Sequence, residues 1–208
     1  CMACVEKCHR NAITIKDDLK YYNALVDTKK CVDCGLCTKV CPRENDNDMS
    51  KPKWWYQGWA DSEIREHASS GGAASAIIRA FIKHGGYVAS CLFDSGKFVF
   101  EVTNEMAVAR KFAGSKYVKS NPEKIYGKIQ SLLKANQKVL FIGLPCQVAA
   151  VNQFIKDKTN LVTADLICHG TPSPYLLKKC LQEYGHDINT LTDINFRIKS
   201  LYELNRYG

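Results

Sequence analysis

Seven cysteines within the first 41 residues stand at spacings that define a chemistry. Cys31-Val-Asp-Cys34-Gly-Leu-Cys37-Thr-Lys-Val-Cys41-Pro42 reads C-x2-C-x2-C-x3-C-P. Three thiolates so spaced wrap a short loop around one four-iron cubane, so three irons are reached without long-range folding. The fourth cysteine points away, toward a second cluster. Pro42 stops the backbone from continuing as helix and releases Cys41 in that direction. Cys1-Met-Ala-Cys4-Val-Glu-Lys-Cys8 is the same pattern without its first cysteine, which would stand three places before Cys1. With no initiator Met either, the sequence reads as a piece that begins inside its first cluster motif. Cross-ligation then assigns Cys31, Cys34, Cys37 and Cys8 to one [4Fe–4S] cluster. Cys1, Cys4, Cys41 and an upstream cysteine fall to the other. His9 takes the place of Pro42 in the first run.

Two other chemistries use paired cysteines. Structural zinc closes with four ligands, usually with a longer gap between the pairs. Disulfides need an oxidising compartment, and no secretory leader is visible. Eleven cysteines in such a chain point to a reducing cytoplasm and to metal use. The hydrophobic share of 46% and charged share of 24% are those of an ordinary globular protein. No apolar run is long enough to span a membrane. The net charge of +8 predicts acidic partners. The lysines are scattered, among them Lys83, Lys97, Lys111, Lys124 and Lys128, as on a solvated surface. Nucleic acid is not an expected partner, because no basic stripe with stacking aromatics stands out.

These residues need elements to position them. Residues 1–42 form a first module in which Ala12-Ile-Thr-Ile15 and Tyr21–Val26 predict a strand pair. A cysteine run followed by a strand, twice, is the outline of an α+β, ferredoxin-like dicluster module. Residues 43–53 are polar and read as a linker. A second domain, 54–208, opens with Trp54-Trp55-Tyr56-Gln57-Gly58-Trp59-Ala60, expected as a strand. Helical spacing runs from Gly72 to His84, and Tyr87–Phe93 and Phe98–Val102 predict a hairpin around Asp94-Ser-Gly96. A helix capped at Asn121-Pro-Glu123 is expected to run to about Ala135. Buried strands are expected at Val139–Ile142 and Leu161–Ile167, helices at about Cys146–Ile155 and Pro174–Tyr184, and a last strand at Asp193–Ile198. This alternation predicts an α/β domain with a mostly parallel or mixed sheet. Nothing closes the domain at Gly208, so that end also reads as cut. Cys91 and Cys180 are most simply core residues.

Four segments of this second domain carry residues suited to chemistry. Ser69-Ser70-Gly71-Gly72 heads a helix, where free N–H groups and the helix dipole favour an anion such as a cofactor pyrophosphate, or simply make a cap. Gly114-Ser115-Lys116-Tyr117 offers a lysine to a phosphate or to solvent. Gly143-Leu-Pro145-Cys146-Gln147 follows a strand, at the end where open α/β sheets bind ligands. A thiol at a helix start is suited to act as thiolate or metal ligand, and Gln147 has an amide for a ring edge. Cys168-His169-Gly170-Thr-Pro-Ser-Pro174 also ends a strand. There His169 is a candidate proton donor or a plain turn residue.

With Asn195-Phe196-Arg197-Ile198-Lys199, these four segments resemble, in order, the beta subunit of coenzyme F420-reducing hydrogenases and dehydrogenases. Ile198 stands where an acidic residue is more usual. The resemblance implies an iron–sulfur flavoprotein oxidoreductase with two [4Fe–4S] clusters and FAD. It exchanges a hydride with F420 or another organic carrier and passes electrons to a redox partner or companion subunit. FAD is then expected against Ser69–Gly72, lined by Ser115, Lys116, Tyr117, Pro145, Cys146 and Gln147, with His169, Cys146 and Lys116 as catalytic candidates. The alternative is a ferredoxin-type electron-transfer module without a substrate site of its own.

Overall fold

A computed structural model of the chain describes residues 1–45 and 51–197. The two cysteine runs fold alike. Met2 and Gly35, each just after a cysteine, are left-handed (φ 57° and 69°) and open the short helices α1 (Ala3–Lys7) and α2 (Leu36–Lys39). The internal repeat is therefore one of backbone shape as well as spacing. Between them, β1 (Ile13–Asp17) and β2 (Tyr22–Val26) pair antiparallel, with Ile13 opposite Val26 and Asp17 opposite Tyr22.

After α3 (Ser62–Glu66) and α4 (Ala73–Lys83) comes the hairpin of β3 (Tyr87–Asp94) and β4 (Lys97–Thr103). Its turn residues Ser95 and Gly96 are both left-handed (φ 47° and 80°), the twist that suits a two-residue hairpin. Then follow α5 (Met106–Ala109), a 3-10 turn (Arg110–Phe112), α6 (Ile125–Lys134), β5 (Val139–Gly143), α7 (Pro145–Phe154), β6 (Leu161–Asp165), α8 (Pro174–Glu183) and a 3-10 turn (Ile188–Thr190). The sheet order is β4-β3-β5-β6, antiparallel at the hairpin and parallel elsewhere, so the sheet is mixed.

β5 is buried along its whole length, and its side chains alternate between two cores. Val139 and Phe141 pack with Tyr126, Ile129, Val151 and Phe154 beneath α6 and α7, and Phe141 stacks on Phe100 at 5.4 Å. Leu140 and Ile142 face Ile78 of α4 and Phe112 on the other side. Ala3 and Val40 of the cysteine module belong to the first of these cores. The two modules are thus packed together rather than strung on a free linker. Of the expected linker 43–53, residues 46–50 lie outside the described residues.

The structure corrects several expectations. Residues 54–60 form no strand. Trp54, Trp55, Tyr56 and Trp59 are exposed, and Ala60 N–H is held by Gly71 O at 2.7 Å. β6 ends at Asp165 and is an edge strand; with no neighbour on its outer side among the described residues, Val162 and Ile167 meet solvent. Residues 193–197 are irregular, and Ile198 lies outside the described residues. Cys180 is exposed and Cys91 only half-buried, so neither is a full core residue. Asn121 does not cap α6. Its Oδ1 accepts from Glu123 N at 3.0 Å in a local turn, and the helix starts later, behind left-handed Lys124.

Candidate functional site

The cap of α6 comes instead from the cysteine module. Glu6, between Cys4 and Cys8, accepts from the N–H of Tyr126 at 3.2 Å and from that of Gly127. This places a carboxylate on the positive end of the helix. Burial pushes the Glu6 carboxyl's pKa up, while those N–H groups pull it down. Tyr126 Oη donates to the carbonyl of Cys1, and its ring stacks on Phe154 at 5.2 Å. Lys7 Nζ lies 4.5 Å from the centre of the Phe154 ring. The cysteines nearest these contacts are thereby fixed against α6 and α7.

Among the seven predicted metal ligands, Cys31 and Cys34 are exposed, while Cys1, Cys4, Cys8, Cys37 and Cys41 are half-buried. Burial raises the Cys4 thiol's pKa, and neighbouring Cys41 and Cys37 raise it further. Cys41 therefore lies within electrostatic reach of a cysteine of the other run, as cross-ligation requires. Ala12 N–H points at Cys8 Sγ and Asp33 N–H at Cys31 Sγ, each at 3.4 Å. Such donors stabilise thiolate charge and set cluster potentials. Left-handed Met2, Asp33 and Gly35 give the loops the bends that form anion-binding concavities. Among the described residues, no three His, Cys, Asp or Glu side chains converge tightly enough for a single metal ion.

The Gly143–Gln147 turn lies beside this module. Cys146, at the start of α7, is exposed and close enough to act electrostatically on the Cys1 amino group and on Tyr126. Gln147 is not available to a ring edge. It is buried, its Oε1 accepts from Leu144 N at 2.8 Å, and its Nε2 donates to Ser120 Oγ at 3.0 Å. These bonds lock the turn that carries Pro145 and Cys146. Gln147→Leu strands the Leu144 N–H and the Ser120 hydroxyl, and should cost about 1–3 kcal/mol in urea unfolding. A change below about 0.5 kcal/mol, the range of surface substitutions, would contradict this role.

A cavity of about 620 Å³ opens at the carboxyl end of β3, lined by Ser69, Ser115 and Lys116. Ser115 N–H donates to Ser69 Oγ at 2.6 Å, so two of the predicted segments do meet. Lys116 Nζ donates to the carbonyls of Lys111, Phe112 and Ala113 at 3.0, 3.0 and 2.7 Å. All three of its hydrogens are used to close the 3-10 turn. Burial lowers its pKa, against the pull of Cys91 and Asp193. Burial also pushes the Cys91 thiol up to about 11.

The sequence reading missed most of the lining. Phe93, Ile194 and Phe196 form an apolar wall, and Arg110, Lys111 and Arg197 oppose Glu66, Asp94 and Asp193 at the rim. Phe196 and Arg197 belong to the stretch that carries the family resemblance, and the others come from segments without a motif for chemistry. Tyr117 stands edge-on behind Phe196 at 6.0 Å. Ser70, Gly71, Gly72, Pro145, Cys146 and Gln147 do not line this cavity. Gly71 and Gly72 instead pack under 58–65, where a Cβ on left-handed Gly72 would sit 3.1 Å from Ala60 Cβ. His169 is exposed in the loop after β6, whose Pro172 O accepts from Lys119 N at 2.9 Å. Of the three catalytic candidates, Lys116 lines this cavity, whereas Cys146 and His169 do not. The cavity's size and its aromatic side chains suit a large aromatic ligand, and its charged side chains are of both signs.

Comparison with known proteins agrees with the cysteine pattern and the sheet. A curated but uncharacterized protein of Methanocaldococcus jannaschii is 27% identical over 141 residues, 63% of this chain and 39% of that protein. One chain of the F420-reducing [NiFe] hydrogenase complex from Methanosarcina barkeri shares the fold, with a TM-score of 0.52 at 18% identity. That match covers 67% of this chain and 53% of the hydrogenase chain, so the present sequence spans about half or less of these relatives. Residues 1–45 match the 4Fe-4S dicluster domain. Residues 136–206 match the domain described as the C terminus of the coenzyme F420 hydrogenase/dehydrogenase beta subunit. With a match to the dicluster domain in front and to that domain behind it, the chain resembles the coenzyme F420 hydrogenase/dehydrogenase beta subunit family over residues 1–45 and 136–206.

Proposed function

We propose that this chain is the electron-handling part of a cytoplasmic iron–sulfur flavoprotein oxidoreductase. It exchanges a hydride with F420 or another organic carrier and relays single electrons through two [4Fe–4S] clusters to a redox partner or companion subunit. The observation that carries this reading is the shared core. Ala3 and Val40 pack with β5 and α7, and Cys1 packs against the same core, so the first cysteine run adjoins the sheet domain that holds the cavity. FAD, when bound, supplies the exchange of one hydride for two single electrons.

The chain's own residues hold and screen that chemistry. Ser69 and Ser115, tied to each other, form one wall of the cavity, and Phe93 and Phe196 form an apolar one. Arg110 and Lys111 supply positive charge for a pyrophosphate. Lys116 acts by shaping the loop that carries Ser115, and Gln147 by fixing the turn between cavity and clusters. Cys146, beside Cys1 and Tyr126, stands on the route between them. No helix among the described residues is long and apolar enough to cross a membrane.

The second reading is an electron-transfer module with no substrate site. In its favour, the amide of Gln147 and the ammonium of Lys116 are both engaged by the protein. Anaerobic reconstitution with iron, sulfide and FAD separates the two. The proposal expects tightly retained flavin in the parent. Because Arg110 and Lys111 are exposed, Arg110→Glu/Lys111→Glu should fold. Like-charge repulsion at the pyrophosphate should weaken FAD retention by about tenfold or more, with iron content unchanged. Full clusters and no retained flavin would favour the module without a substrate site.

A further inference from the structure

The two predicted clusters differ in their surroundings, and the difference points to where a partner docks. Cys31 and Cys34 are exposed, with Val32 between them at 54% exposure, whereas Cys1, Cys4 and Cys41 are half-buried. The Cys8–Cys31–Cys34–Cys37 site, which holds both exposed ligands, is therefore the more open of the two to another protein. Arg10, Lys29, Lys30 and Lys39 lie within two residues of its ligands, and all are exposed. Such a short tether keeps the Cα of each of these residues within about 7 Å of chain from that of a ligand. The one exposed carboxylate equally close in sequence is Asp33. Glu6, the other acidic residue at that range, is turned inward onto α6. Lys30 is held by Asp27 at 3.7 Å, which leaves Arg10, Lys29 and Lys39 as the cations turned to solvent.

We infer that this rim, with Val32 at its centre, docks a small acidic one-electron carrier protein. The inference rests on the cluster assignment proposed above but not on the flavin. Positive charge around an exposed cluster steers an acidic partner electrostatically and orients it with its own redox centre facing Val32. In each encounter one electron passes: the carrier's reduced centre is oxidised by one electron and the exposed cluster is reduced by one. No proton or bond is exchanged. Two such transfers, with one proton from solvent, supply one hydride given up at the other end, and a hydride taken up there runs the same steps in reverse.

The test uses a chemically reduced, acidic bacterial 2[4Fe–4S] ferredoxin as probe. Its reduction of the cluster-loaded protein is followed by stopped-flow bleaching. In the parent, the second-order rate should be fast at low salt and fall steeply as salt shortens the screening length. Lys29→Glu/Lys39→Glu should slow it by about tenfold or more at low ionic strength. The difference should vanish at high salt, with iron and sulfide content unchanged. A fast rate indifferent to both salt and these substitutions would overturn the docking surface and leave the clusters standing. Loss of iron and sulfide from the parent itself would overturn the cluster assignment instead.

Discussion

Replacing Tyr126 with alanine should remove about 3–5 kcal/mol of stability, the cost of a large aromatic cavity in a packed core. The side chain is fully buried and belongs to the core that Ala3 and Val40 enter. It stacks on Phe154, and its hydroxyl donates to the Cys1 carbonyl. One truncation therefore opens a void under α6 and cuts the link to the cysteine run. Tyr126→Phe separates the two effects. It keeps the stack and strands only the Cys1 carbonyl, so it should cost about 1–3 kcal/mol. Urea unfolding of all three proteins, with iron release followed in parallel, gives the comparison. In Tyr126→Ala, iron should be lost before the sheet domain unfolds. If instead both substitutions cost under about 1 kcal/mol, the module is held by something other than this contact.

Cys34→Ser should abolish one cluster and leave the other. A serine oxygen is a poor substitute for a thiolate that holds iron, and Cys34 sits in an exposed loop with little packing to compensate. Iron should fall by about four atoms per chain, the content of one cubane. Electron exchange with an external carrier should drop to background. The fold should remain, because no part of Cys34 belongs to a core. Cys4→Ser is the contrasting variant: its loss strikes the half-buried site against α6 and α7. Iron analysis with low-temperature EPR of each reduced variant identifies which signal disappears. Retention of full iron in Cys34→Ser would show that the cross-ligation assignment is wrong at that position.

The two cysteine runs, the hairpin around Ser95-Gly96 and the strand at 139–142 were all legible in the sequence. Each is decided over a few residues: by thiolate spacing along a short loop, by backbone freedom at a turn, or by an unbroken apolar run. The Ser69 and Ser115 segments were legible as candidates, and the structure brings them together at 2.6 Å. Their neighbours at the cavity were not. Phe93, Asp94, Arg110 and Asp193 look like ordinary surface or core residues in sequence, because a cavity is made by segments meeting and no single segment records it.

The sequence by itself determined the chemistry available to this protein, thiolates set for iron–sulfur clusters ahead of an α/β sheet, because covalent spacing and side-chain period are local properties. Tertiary structure alone decided which groups stay free to act. Lys116 and Gln147 read as ligand-binding side chains until the carbonyls of 111–113, Leu144 N–H and Ser120 are seen to engage them. Glu6, a plain acid between two cysteines, becomes the cap of a helix 120 residues away. A buried hydrogen-bonding group is satisfied by whatever the fold brings within 3 Å or so, and that partner is chosen by packing between segments remote in the chain.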